Sequence, residues 1–195
     1  EAGKSINSTD ADGTVAIGYQ AGDAITSGQY NTAIGYQSLS TEDDGDGNTA
    51  VGYKALKAQT GTSGTVGNTA VGLQAGTAVT TGTTNTLMGH QAGLQLTTAA
   101  SNTAIGYNAM RLGTVATHIV AIGKEAFENI ATDGQASRNV AVGSGAAKAM
   151  TNGQRATFIG YYAGAQYDSA NAYVYQTFVG AEAGYNHTGG SSNTL

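Results

Sequence analysis

Apolar and polar positions recur along this chain in an eight-residue phrase. NTAIGYQS (31–38) returns as NTAVGYKA from Asn48, NTAVGLQA from Asn68, NTLMGHQA from Asn85 and NTAIGYNA from Asn102. Aligned on its glycine, the phrase puts Gly18, Gly35, Gly52, Gly72, Gly89, Gly106, Gly123, Gly143, Gly160 and Gly180 in one column. Successive spacings are 17, 17, 20, 17, 17, 17, 20, 17 and 20 residues. Each step is 17 or three more, as expected of a fixed unit that accepts loop insertions. The residue before the glycine is always apolar: Ile17, Ile34, Val51, Val71, Met88, Ile105, Ile122, Val142, Ile159 and Val179. One further back stands Ala in seven repeats, Ala33, Ala50, Ala70 and Ala104 among them, with Leu87, Phe158 and Phe178 as exceptions. Three after the glycine, Ala recurs in nine repeats and Ser38 stands in the tenth.

Thr-Ala-Ile/Val is a β-biased tripeptide, and the Gly-, Ser-, Thr- and Asn-rich stretches between phrases read as turns. Helix propensity exists in AGLQLTTAA (92–100) and GKEAFENIA (123–131), but both sit on the same frame as their neighbours, so the frame predicts turns there. Each unit bends into a closed coil with a short strand on each side. Coils stacked ~4.8 Å apart make a rod roughly 48 Å long. The predicted fold is all-β: a parallel β-solenoid of about ten coils of 17–20 residues, one repeat domain over residues 1–195.

Side chains along a strand alternate between faces, so the Ile/Val column and the Ala column point oppositely, and both stay apolar. One must fill the coil interior; the other needs cover from outside. The small Ala column suits close approach of neighbouring chains, and the simplest cover is copies of this chain about a common axis. The pattern permits a dimer or a trimer, and a homotrimer is preferred.

Composition fits this picture. Thirty Gly, no Pro, Cys or Trp and three Phe leave few bulky residues for a globular interior, while the apolar periodicity argues against disorder. Charged residues are 11% and the net charge is −5, with no basic stripe, so nucleic-acid binding has no electrostatic footing. No apolar run approaches the ~20 residues of a membrane span, so no membrane contact is expected of this segment. Without Cys there are no disulfides or thiolate metal sites.

The phrase NTAIGYxA, with a further Gly before the next copy, resembles the head repeats of trimeric autotransporter adhesins (the YadA-like head) and the repeat shafts of bacteriophage tail fibres, over essentially the full chain. The resemblance implies homotrimers of left-handed parallel β-rolls, intertwined or side by side, serving as rigid stalks or adhesive heads. This chain departs from that pattern in its longer unit and in placing Thr where those heads often have Val.

The phrase holds no catalytic grouping. No GxSxG, HExxH or Walker-type loop occurs, and Glu125, Glu128, Asp133 and Glu182 form no paired-carboxylate pattern. No catalytic, cofactor or metal residue is assigned, and no enzyme activity is expected. His90, His118 and His187 are scattered; TEDDGDGN (41–48) has the alternate-acid opening of a calcium loop but lacks its Gly and Glu, and reads as a solvated loop. Asn and Thr of the phrase are expected to bond backbone at the coil turns and their counterparts above and below. Tyr19, Tyr36, Tyr53, Tyr107 and Tyr161 share the column after the glycine and are expected to stack. Tyr161, Tyr162, Tyr173 and Tyr175 are candidate glycan contacts. Ice binding needs two regular Thr columns, and one is present.

SSNTL at the end repeats TTNTL (83–87), and Glu1-Ala2-Gly3 repeats Glu182-Ala183-Gly184, so both ends fall inside a coil and suggest a piece of a longer fibre. The expected function is a structural fibre segment, a trimeric stalk or head projecting from a virion or bacterial surface to attach to a glycan or protein receptor. Alternatives are the head of a bacterial trimeric autotransporter adhesin, or an extracellular filament assembled head to tail.

Overall fold

A computed structural model describes residues 1–6, 11–61, 64–130, 136–167, 175–188 and 192–195. Ten three-residue strands, from Val15–Ile17 to Thr177–Val179, form one parallel sheet in strict sequence order, apart from two short strands that pair separately. Like pairs with like: Ala33 with Ala50, Ala50 with Ala70, Phe158 with Phe178. The insertions of three residues leave this register intact, because Thr49–Val51 still aligns with Thr69–Val71. The fold is a parallel β-solenoid, and no helix occurs among the described residues. Segments 92–95 and 124–129 are turns, as the frame predicts and local helix propensity does not.

The expected strand on each side of the coil is found in all ten repeats on one side only; elsewhere, among the described residues, pairing is confined to Gly45–Asp46 with Gly64–Thr65 and to single bridges such as Thr117–Ser137 and Ser137–Gln154. After each of the ten strands the described chain enters a run of turns in which the second and fourth residues after the glycine have positive φ, as in Gln37 (52°) and Leu39 (49°), or Glu125 (58°) and Phe127 (49°). Each such non-Gly residue costs about 1–3 kcal/mol and persists only when its surroundings over-determine it. Here the coil stack does so: Gln37 N–H donates to Tyr19 O at 2.9 Å and Leu39 N–H to Ala55 O at 3.0 Å.

Two ladders set the coil spacing. At the repeat glycine the backbone of successive coils closes so tightly that a Cβ on Gly106 would lie 2.5 Å from Gly123 O, with φ at +135°. Four residues earlier runs a buried Asn column. Asn85 Nδ2 donates to Ala99 O (2.8 Å) across its own coil, while Asn85 Oδ1 accepts the N–H of Asn102 (3.1 Å) in the next. Asn31, Asn68, Asn102 and Asn139 repeat both bonds. Thus the expected Asn pairing with backbone is present and lies inside the coil, where an unpaired amide would cost most.

Candidate interaction surfaces

The expectation that the Ala column faces a neighbouring chain is overturned. Ala33, Ala50, Ala70 and Ala104 are wholly buried within the coil. The column before the glycine points outward instead: Ile17 is 57% and Ile122 37% exposed, and Ile34, Val51, Val71 and Ile105 are half-buried. Alternation determines that these columns are opposed, but not which is inside. The narrow lumen decides, since it must also hold the Asn column, the Ala column three after the glycine, and larger side chains such as Leu39, Leu56 and Leu96. Beside the outward Ile/Val column lies the outward Thr or Val that opens each strand, so the exposed sheet face reads Thr-Ile or Thr-Val in most coils. Its twenty positions carry no charge.

The Tyr column flanks this face on one side. Tyr19, Tyr36 and Tyr53 stack, with ring centroids 5.5 and 5.3 Å apart. Tyr107 instead meets His90 edge-on at 5.3 Å, and Tyr161 meets Tyr162 edge-on at 4.5 Å. Of the candidate glycan contacts, Tyr161 and Tyr162 are together, with Tyr185 6.0 Å from Tyr162. Tyr175 lies at the opposite edge of the sheet face, where its hydroxyl accepts a hydrogen bond from Arg155 Nη1 at 2.6 Å. Tyr173 lies outside the described residues. Tyr167 is in the core against Phe158 and Phe178.

The acidic loop is not simply solvated. Glu42 is wholly buried: its Oε1 accepts the N–H of Asp43 (3.1 Å) and Gly45 (2.8 Å), and its Oε2 that of Gly61 (3.1 Å). Burial nevertheless pushes its pKa above the usual carboxylate value, with the backbone N–H groups opposing. Carboxylate oxygens of Glu42, Asp43 and Asp44 lie within 4.8 Å of one another, but the three N–H donors already occupy Glu42. His90, His118 and His187 occupy three different columns, as the alignment implies.

On the turn side the fifth residue after the glycine forms an ion ladder. Arg111 meets Glu128 at 3.1 Å, and Lys148 meets Glu125 at 2.6 Å and Glu128 at 3.5 Å. Lys148 holds Glu125 below the usual carboxylate pKa. A second group of basic residues was not singled out by sequence reasoning: His118, Arg138 and Arg155, all five residues before a repeat glycine and all exposed. Their signal was present in the variant phrases HIVAIG and RNVAVG, which put a basic residue where the other coils have Tyr, Thr, Ser or Gly. No helix among the described residues is long and apolar enough to cross a membrane. Comparisons with protein-family models, with curated proteins and with solved structures found no match.

Proposed function

We propose that this chain is a structural fibre segment, a rigid homotrimeric stalk or head that projects from a virion or bacterial surface for attachment. The observation that carries the reading is the uncharged outward sheet face. Nine gaps of ~4.8 Å and a width of three residues give it roughly 430 Å². That matches the largest patches a soluble monomer usually exposes, about 300–600 Å². The flanking aromatics Tyr19, Tyr36 and Tyr53, each 42–58% exposed, widen the strip toward the ~800 Å² per partner of a standard interface. Copies packed by this face would bury the Ile/Val column that the coil leaves outside. A stack of coils with like-on-like register resists bending, as a stalk requires. The test is light scattering on the protein and on Ile105→Lys: the reading expects a three-chain mass and its loss in the variant. A stable, folded wild-type monomer would sink it.

A further inference from the structure

The corner that precedes each strand, five residues before the repeat glycine, is built from one conformation. Thr84, Ser101, His118, Arg138, Arg155 and Tyr175 stand there in six successive coils, all exposed and all with φ between 41° and 59° or, for Arg155, 61°. Their backbones are tied coil to coil. Ser101 N–H donates to Thr83 O (3.0 Å), and His118 N–H to Ala100 O, Arg138 N–H to Thr117 O and Arg155 N–H to Ser137 O, each at 3.2 Å. Thr117, Ser137 and Gln154 pair in parallel just before these residues, which keeps the corner in register. The shared positive φ and the parallel register send the side chains out in the same direction, about one coil spacing of 4.8 Å apart. Contacts confirm this at both ends: Thr84 Oγ1 lies 3.1 Å from Ser101 Oγ, and the Arg155 guanidinium lies 5.5 Å from the Tyr175 ring centroid.

Charge makes the corner unusual. The chain has only eight Lys and Arg, and Arg111 and Lys148 on the turn side are matched to glutamates. Among the described residues, neither Arg138 nor Arg155 meets a carboxylate. Two guanidinium forks in successive coils, preceded by the His118 imidazole in the coil before them, therefore form a short row carrying two positive charges, flanked by hydroxyls on one side and an aromatic ring on the other. Guanidinium forks take carboxylate or sulfate oxygens in pairs. Hydroxyls match sugar hydroxyls, and an aromatic face takes the apolar face of a sugar ring. Duplex DNA suits the row poorly, because its charge of one per ~1.7 Å calls for a long basic track, and the chain as a whole is −5.

We propose that this corner binds an extended acidic glycan, with Arg138 and Arg155 holding its anionic groups and Tyr175 and Ser101 flanking the chain. The proposal supplies a ligand class for the attachment role above and rests on that reading for its biological setting. The experiment measures binding by titration calorimetry of four probes: a polysialic acid fragment (carboxylated), a heparin fragment (sulfated), dextran (neutral) and an oligothymidylate. Wild type should bind at least one acidic glycan, weaken with salt and ignore dextran; the two glycans tell carboxylate from sulfate. Arg138→Gln/Arg155→Gln should lose at least tenfold in affinity with unchanged circular dichroism and unchanged mass by light scattering. The proposal is overturned by no binding of either acidic glycan, by unchanged affinity in the double variant, or by tighter binding of the oligothymidylate. A double variant whose assembly mass changes also overturns it, since the corner would then be a seam between copies. A monomeric wild type that still binds the glycan would defeat the fibre reading and leave this one standing.

Discussion

The described residues of 31–109 and of 157–187 present the same outer frame around different interiors. In the first stretch the inward strand residue is mostly Ala, and the lumen is filled from the turns by Leu39, Leu56, Val79 or Leu96. In the second it is Phe158 or Phe178, and the turn residue facing it is Gly164 or Gly184, where a Cβ would lie 2.4 Å from the ring. Leu87 is the intermediate case, with Gly93 beneath it, where a Cβ would lie 2.8 Å from Leu87 Cδ2. Volume is traded among columns within a coil of constant girth. The backbone ladders hold the cross-section, and the side chains conform to it.

The largest effect should come from the ladder both stretches share. Gly106→Ala combines a strained φ with a clash against Gly123 O, and should cost about 4 kcal/mol or prevent folding. Gly180→Ala has the same φ but meets only Ala183 Cβ at 3.9 Å, and should cost about 2 kcal/mol in urea denaturation. Equal losses would break the claim that close coil approach, beyond backbone conformation, demands glycine.

Next, Phe158→Ala should cost about 3–5 kcal/mol. Adding Gly164→Leu should recover part of it, since Leu39 and Leu56 hold the equivalent place at φ 49° and 47°. A double-mutant cycle without coupling would refute the trade between columns.

Asn85→Ala orphans Ala99 O and the N–H of Asn102, and should cost about 1–3 kcal/mol. Asn48→Ala should cost less. The Asn48 Nδ2 already has no partner, and only its Oδ1 bond from Asn68 N–H (3.1 Å) is lost. The step from Asn48 to Asn68 is one of the 20-residue units, whereas the asparagines that bond a carbonyl 14 residues on stand at the start of 17-residue steps.

The smallest effects are those of pH, and two carboxylates on different coils should differ in sign. Glu42 has a raised pKa, so the native state holds its proton more tightly than the unfolded chain. That makes stability fall as pH rises from the ordinary carboxylate value through the folded one. Glu125 has a lowered pKa, so its contribution is present above the ordinary value and lost as pH falls through the folded one. Melting temperatures across roughly pH 3 to 6 should show the first slope abolished in Glu42→Gln and the second in Lys148→Met. Slopes unaltered by these changes would detach both shifts from stability.

Much of this molecule is legible in its repeat. Strict recurrence at 17 or 20 residues dictates like-on-like stacking, because only a parallel coil can bring Ala33, Ala50 and Ala70 into line while looping out three extra residues. Recurrence also outweighs local propensity, which is why residues 124–129 turn where their composition favours helix. Placing surface residues was harder. The tyrosines stand out by type, but His118, Arg138 and Arg155 are a site candidate only because one conformation at one corner aligns them.

The sequence by itself therefore determined the coil, its register and the existence of two opposed apolar columns. Only the tertiary structure decided which column is inside, and it placed Ala within and Ile/Val without. Alternation along a strand is a local property that defines parity. The sign of that parity depends on how much volume the lumen has left once the Asn ladder and the turn residues are in place, and residues 14 or more apart in the chain settle that together.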